Sequence, residues 1–341
     1  MKVLPVREAV GTVLCHDVTQ IIPGKFKGRA FKKGHIVREE DIPRLLDIGK
    51  EHLYVLDLSD GMVHENEAAV RIAKAAAGSG VTLTEPGEGK VNLIAAHTGL
   101  LKINIEALYE INFVDEVMFA TLHSNQIVSK GKNIAGTRII PLVIKDDKIR
   151  NIEEICRNNY PIVEVKPIKC CRVGIVTTGS EVYNGRIEDR FGAVIRQKMK
   201  ELGSEVIGQK FVSDSIEMIV AAINDFLAAG AEVITVTGGM SVDPDDVSPA
   251  GIKAAGGDIV TYGAPTLPGA MFMLAYIGNV PILGLPGCVM YYRASIFDLV
   301  IARILAGERL TRKDIVHLAH GGLCINCKEC RYPDCGFGKG S

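Results

Sequence analysis

Two stretches of this chain place hydroxyls, glycines and carboxylates in an order suited to a phosphorylated ligand. Residues 172–187 read RVGIVTTGSEVYNGRI, and residues 232–246 read EVITVTGGMSVDPDD. Each is a Val- and Ile-rich run ending in a Thr-Gly turn, Thr178-Gly179-Ser180-Glu181 and Thr237-Gly238-Gly239-Met240-Ser241, with acidic residues following. Such runs read as buried parallel strands, and glycine lets the backbone after a strand approach a ligand closely. Two such turns at the carboxyl ends of neighbouring strands form the ligand crevice of an open α/β sheet. Free amides there hold phosphate, while Glu181, Asp214, Asp245 and Asp246 offer hard oxygens to a cation such as Mg²⁺. Plainer readings stand beside these. Glu181 suits the start of a helix, and Asp214 with Glu217 has capping-box spacing. Asp245 and Asp246 follow Pro244 in a turn, where Asp is common. Ser241 either bonds phosphate or solvates its turn.

A second constellation lies near the end of the sequence. Of nine cysteines, Cys15, Cys156, Cys170, Cys171 and Cys288 are scattered, as small core residues usually are. Cys324, Cys327, Cys330 and Cys335 fall within a dozen residues. The first three repeat every third residue, so successive thiolates can turn toward one centre. The run resembles the ferredoxin pattern more than a zinc ribbon, whose pairs are separated by a long stretch. It departs from that pattern in its last gap of four residues and in Gly336, which follows Cys335. An iron–sulfur cluster, a zinc ion and an unmetallated flexible tail are all open readings, with metal favoured. Any such centre is separate from the phosphate turns, and electron transfer, redox sensing and docking to a partner enzyme are all open roles for it.

The elements that must position these residues divide the 341-residue chain into three regions. Residues 1–165 read as one or two small α+β modules. Helices are expected over 41–48, 64–77 and 103–109, and strands over 53–58, 90–96, 116–121, 138–144 and 162–165. From 171 to 310 strand and helix alternate, which implies a mostly parallel sheet covered on both faces. Strands are expected over 172–177, 205–212, 233–236, 259–262 and 281–285, and helices over 191–202, 249–255 and 290–305. A further helix follows Asp214, with Ile216, Ile219, Val220, Ile223 and Leu227 on one face. Residues 320–341 form the cysteine-rich tail.

Composition narrows the function. The 39 basic and 40 acidic residues nearly cancel, so no global field points to nucleic acid or membrane. Residues 268–287 lack charge over a length that would span a bilayer, but Pro and Gly interrupt them repeatedly. Two buried strands joined at Gly278-Asn279 explain that stretch better. The N-terminus lacks the apolar core of a signal peptide, and a cytoplasmic protein is expected. His16, His97 and His123 have no metal-ligand spacing and read as ordinary polar residues. Lys25, Lys27, Arg29, Lys32 and Lys33 read as a solvated face, with a contact to substrate phosphate as the lesser reading.

The motifs between residues 171 and 305 resemble, in order, the molybdopterin-binding domain of the molybdopterin molybdenumtransferases, the family that includes the E domain of gephyrin. They are Thr178-Gly179-Ser180-Glu181, Gly185 with Asp189, Val212-Ser213-Asp214, Thr237-Gly238-Gly239-Met240-Ser241 with Asp246, Leu267-Pro268-Gly269 and Gly284-Leu285-Pro286-Gly287. The resemblance implies a three-layer α/β/α sandwich and, as ligand, molybdopterin or its adenylylated form. Family enzymes use molybdate and a divalent cation to release AMP and yield molybdenum cofactor. By position, Glu181, Asp214 and Asp246 match acidic residues near metal and substrate, and Pro268, Gly269, Pro286 and Gly287 match ligand loops. A homodimer is also implied, and with it a molybdoenzyme becomes one partner to which the cysteine tail could dock.

The sequence departs from the family in four places. The Gly-Asp-Glu turn is Gly179-Ser180-Glu181, and the Lys-Pro-Gly-Lys-Pro motif is Leu267-Pro268-Gly269-Ala270-Met271, without its two cations. Cys288-Val289 stands where Asn-Pro is usual, and the front-domain Asp-Gly-Tyr-Ala segment is missing. Three functions therefore stand open: a molybdate-inserting enzyme, a non-catalytic molybdopterin carrier or sensor, and a CinA-like nucleotide hydrolase, which shares the Gly-Ser-Glu, Asp189 and Gly-Gly…Asp-Asp features.

Overall fold

The computed structural model describes residues 2–22, 26–55 and 61–340. The turn at Pro23-Gly24, Lys25 and the last part of the strand expected over 53–58 lie outside the described residues. The chain forms two compact units: residues 1–96, 103–122 and 131–164 make the first, and 97–102, 123–130 and 165–341 the second. Among the described residues, no helix is long and apolar enough to cross a membrane.

The first unit is α+β. Near its start, Val6, Leu14, Val18, Phe31, Leu45 and Leu53 are buried together. Helix Glu65–Ala76 turns Ala68, Ala69, Ile72 and Ala73 inward, an i, i+4 stripe of small residues that allows close packing. A four-stranded antiparallel sheet follows the order Val81–Leu83, Lys90–Ala95, Asn133–Ile139, Val117–Thr121. The single strand expected over 138–144 is two, Asn133–Ile139 and Val143–Lys145, parted at Pro141, which cannot donate to a ladder. Helix Asp146–Asn158 was not anticipated, although Ile149, Ile152 and Cys156 mark its buried face at helical spacing.

Lys33 is not part of a solvated face. Its Nζ lies 2.9 Å from His64 Nδ1, while His64 Nε2 lies 2.7 Å from the Cys15 carbonyl. The Nε2–H tautomer meets both contacts, donating to the carbonyl and accepting from Lys33. Burial lowers the Lys33 pKa, partly offset by Glu65.

The second unit holds the phosphate turns. Its parallel strands are β1 (Arg172–Thr178), β2 (Glu205–Val212) and β3 (Val233–Thr237). An antiparallel edge, β4 (Asp258–Tyr262) and β5 (Met273–Ile277), leads to β6 (Val280–Leu285), which pairs parallel with β3. The order across the sheet is β2-β1-β3-β6-β5-β4. Ile277 pairs with Val280, so the uncharged stretch is the expected hairpin about Gly278-Asn279.

Alternation along the strands feeds two cores, one on each face. Val173 and Ile175 join Ile195 of α1 (Phe191–Glu201) and Phe297 and Val300 of α2 (Ile296–Leu305). Val176, Ile234 and Val236 join Ile219 and Phe226 of α3 (Ile216–Ala228) and Ile252 of α4 (Ser248–Ala254). The result is a three-layer α/β/α sandwich. The helix expected over 290–305 is broken into Cys288–Tyr291 and α2. Ser295 and Asp298 form a reciprocal capping box that starts a new helix.

Helix α3 lies close on the sheet because β1 and β2 have glycines beneath it. A Cβ on Gly174 would stand 2.5 Å from Phe226 Cγ, and one on Gly208 3.2 Å from the same ring. Gly174→Ala is therefore expected to destabilise the protein by about 1–3 kcal/mol through overpacking. Urea unfolding measures the loss, and adding Phe226→Leu should restore part of it.

Candidate functional site

The chain passes from β1 to β2 on one side and then to β3 on the other, so β1 and β3 flank a point where strand order reverses. Crevices at such points, beyond the carboxyl ends of the strands, are where open α/β sheets bind ligands. Thr177 pairs with Thr237 across that junction. Both Thr-Gly turns therefore leave the sheet side by side, with the Pro286-Gly287 turn after β6 next to them.

Hydroxyls and glycines set the spacing of the turns. Thr178 Oγ1 donates to the Thr237 carbonyl at 3.2 Å, and Ser248 Oγ donates to the Gly238 carbonyl at 2.8 Å. Gly238 has φ +86°, and a Cβ there would lie 2.3 Å from the Thr178 carbonyl oxygen. Neither the conformation nor the space admits another residue. Gly179, at φ +137°, is likewise tight against the Glu181 carboxylate, 2.7 Å from its would-be Cβ. Gly287 differs: at φ −53° with nothing within 4 Å of a Cβ, it borders open space.

These turns enclose a groove of ≈ 970 Å³. Thr178, Glu181, Gly238, Gly239, Ser241, Asp246, Pro286 and Gly287 line it. Gly179, Ser180, Asp214 and Asp245 do not. Pro268 and Gly269 line an adjoining hollow of ≈ 430 Å³, which shares Met271 and Pro286 with the groove.

Asp214 is not the helix cap its spacing suggested. Ser215 caps α3, its Oγ accepting from Met218 N at 3.3 Å. Asp214, one residue earlier, accepts from Ser180 N at 2.8 Å and so ties the strand end after β2 to the first turn. Its carboxylate positions the groove wall rather than lining it. Asp246 is half-buried and accepts from Asp243 N at 3.1 Å, whereas Asp245 is exposed. Among the described residues, no three His, Cys, Asp or Glu side chains are grouped so as to hold a metal ion.

Several participants were not singled out as site residues from the sequence. Asp189 accepts from Phe191 N and Gly192 N at 2.9 and 3.0 Å, starting α1 at the groove's edge. Gln209 Nε2 reaches Asp189 Oδ2 at 2.7 Å and Thr177 Oγ1 at 2.9 Å, linking that edge to β1. Tyr262 Oη lies 2.9 Å from the Met240 carbonyl and 3.1 Å from that of Ser241, bracing the second turn from the sheet edge. Burial raises its pKa, and Asp246 adds to the rise. Only Asp189 left a sequence signal, since it falls in the ordered motif series; the others meet the site through tertiary packing.

The groove is acidic. Glu181, Glu188, Asp189, Asp243 and Asp246 line it, against the guanidinium of Arg190. An anionic phosphate would meet net repulsion there unless a divalent cation stood between. Glu181 and Asp246 line the groove from the first and second turns.

Replacing Asp214 by Ala should free the first turn without touching the groove lining. Losing one charged hydrogen bond costs about 1.5–3 kcal/mol. Amide exchange at Ser180 should then accelerate roughly tenfold to a hundredfold, while amides in β1 keep their protection.

Comparison with known proteins agrees with this geometry. Residues 174–306 match the family described as a probable molybdopterin binding domain, and residues 3–57 match a domain of unknown function. A molybdopterin molybdenumtransferase from Staphylococcus aureus (strain COL) is 29% identical over 171 residues, covering 47% of this chain and 41% of the relative. A CinA-like protein from Mycobacterium sp. (strain MCS) is 36% identical over 77 residues, 23% of this chain and 18% of that protein. The chain thus spans less than half the length of these relatives. Among solved structures, the molybdopterin biosynthesis enzyme MoaB from Thermus thermophilus is 19% identical, with a TM-score of 0.33, over 40% of this chain and 98% of that one. The α/β/α sandwich with its paired Thr-Gly turns coincides with residues 174–306, the part of the chain that matches the family described as a probable molybdopterin binding domain.

Proposed function

We propose that this protein acts in molybdenum cofactor biosynthesis by binding adenylylated molybdopterin in the groove and, with Mg²⁺ and molybdate, releasing AMP. The acidic lining between two glycine turns is the observation that carries this reading. It suits a phosphoanhydride only when a cation is bound with it. At ≈ 970 Å³ the groove lies at the upper end of small-molecule sites, which fits a ligand of nucleotide size. The family match and the transferase relative support the same substrate class.

Each residue has a distinct part in this reading. Glu181 and Asp246 would hold the cation, which would supply positive charge to neutralise what develops on the leaving phosphate. Gly238 and Gly239 keep the second turn free of side chains, so phosphate approaches backbone. Asp214 and Gln209 fix the first turn and the Asp189 edge. Arg190 supplies positive charge on a groove whose Leu267-Pro268-Gly269-Ala270-Met271 loop has none. The CinA-like relative favours a second reading, hydrolysis of other nucleotides, and the same assay separates the two.

Incubating the protein with adenylylated molybdopterin and quantifying AMP is the test. AMP should appear only when molybdate and Mg²⁺ are both present. Glu181→Gln or Asp246→Asn should each remove about 3 kcal/mol of transition-state stabilisation, on the order of a hundredfold in rate. AMP released from unrelated nucleotides without molybdate would establish the CinA-like activity instead. Tight binding without turnover would leave a carrier.

The reading includes a homodimer. Phe113 and Ile140 of the first unit are 86% and 66% exposed, and exposed apolar surface of this kind favours association. Light scattering at micromolar concentration should give twice the chain mass, and Phe113→Asp should shift it toward the single chain.

A further inference from the structure

The four clustered cysteines all border one cavity of ≈ 500 Å³ in the second unit. The cavity is a built part of the fold. Phe337 is 4% exposed and packs on Ala294 and on Leu299 of α2, with Tyr332, Cys324 and Cys335 against them. The Tyr332 and Phe337 rings meet edge to face at 6.4 Å, and Tyr332 Oη donates to the Asp298 carbonyl at 3.2 Å. Between the first two thiols, Asn326 takes a left-handed φ of +56°, which turns the chain sharply within the Cys-x-x-Cys segment.

The lining charges point to the occupant. Arg293, Lys328 and Arg331 border the cavity, and no carboxylate does among its lining residues. Four thiolates with three cations suit a net-anionic centre. Size then separates the candidates. A zinc ion draws four sulfurs to about 2.3 Å from one point, whereas no three of these thiols are grouped closely enough to hold a single ion, although all four border the same cavity of ≈ 500 Å³. In a cubane each cysteine binds a different iron, so the ligands stand further apart. The Cys-x₂-Cys-x₂-Cys spacing is that of [4Fe–4S] proteins.

We infer that Cys324, Cys327, Cys330 and Cys335 hold a [4Fe–4S] cluster in this cavity. The site is tied to the ligand loop through the backbone. Leu267 N donates to the Gly322 carbonyl and Cys324 N to the Leu267 carbonyl, each at 2.8 Å. The hollow lined by Pro268 and Gly269 also includes Cys324. The assignment does not rest on the reading of the groove, and its test needs no pterin.

Full-length protein from iron-supplemented cells, purified under strict anaerobiosis, should carry about four irons and four acid-labile sulfides per chain, with broad visible absorption that dithionite bleaches. Cys327→Ser and Cys330→Ser should each reduce iron below one per chain, whereas Cys170→Ser, exposed and outside the cavity, should keep it. Circular dichroism checks that the variants stay folded. One tightly held zinc per chain, two irons with two sulfides, or a metal-free protein with all four thiols open to alkylation would each overturn the assignment. So would Cys327→Ser and Cys330→Ser proteins that keep their full iron.

Discussion

The groove depends on one close approach, the backbone of Gly238 against the carbonyl of Thr178. A single added carbon would meet that oxygen at 2.3 Å, well inside van der Waals contact. Because the two turns stand this close, Thr178 can bond the Thr237 carbonyl and Ser248 the Gly238 carbonyl. Those bonds fix the second turn and the start of α4 against the first. The acidic side chains then face a shared space because the backbones beneath them have no room to separate.

Much of this was legible because local chemistry and tertiary demand coincide. Thr-Gly after a β-branched run has few uses other than a strand-end turn, and both turns are where the sequence put them. The hairpin at Gly278-Asn279 was readable for the same reason. Legibility failed where two neighbouring residues were equally able to do one job. Asp214 and Ser215 are both good N-caps, and only the position of Ser180 selects Ser215 for the helix and leaves Asp214 for the loop. The break before α2 hid inside a stretch that mixes apolar and polar residues as an amphipathic helix would, with Ser295 and Asp298 as its capping sign. Tyr262 and Gln209 brace the groove's turns and edge from β4 and β2, strands whose sequence order says nothing of that proximity.

Electrostatically the second unit keeps two opposed environments near one loop. The groove gathers carboxylates, while the thiol cavity gathers guanidinium and ammonium groups. Residues 267–271 run between them with no charge. An uncharged partition avoids favouring either site over the other, which two lysines in the same place would not do.

The pairing of Leu267 with the segment before Cys324 also bears on how such tails are exchanged between proteins. Gly322, Leu323 and Cys324 supply a short strand-like edge to a loop that lines the hollow beside the groove. A replacement tail would have to bring its own edge in the same register, or leave the Leu267 amide and carbonyl without partners. Shuffling at this junction is therefore constrained by main-chain hydrogen bonding, however freely the side chains beyond it vary.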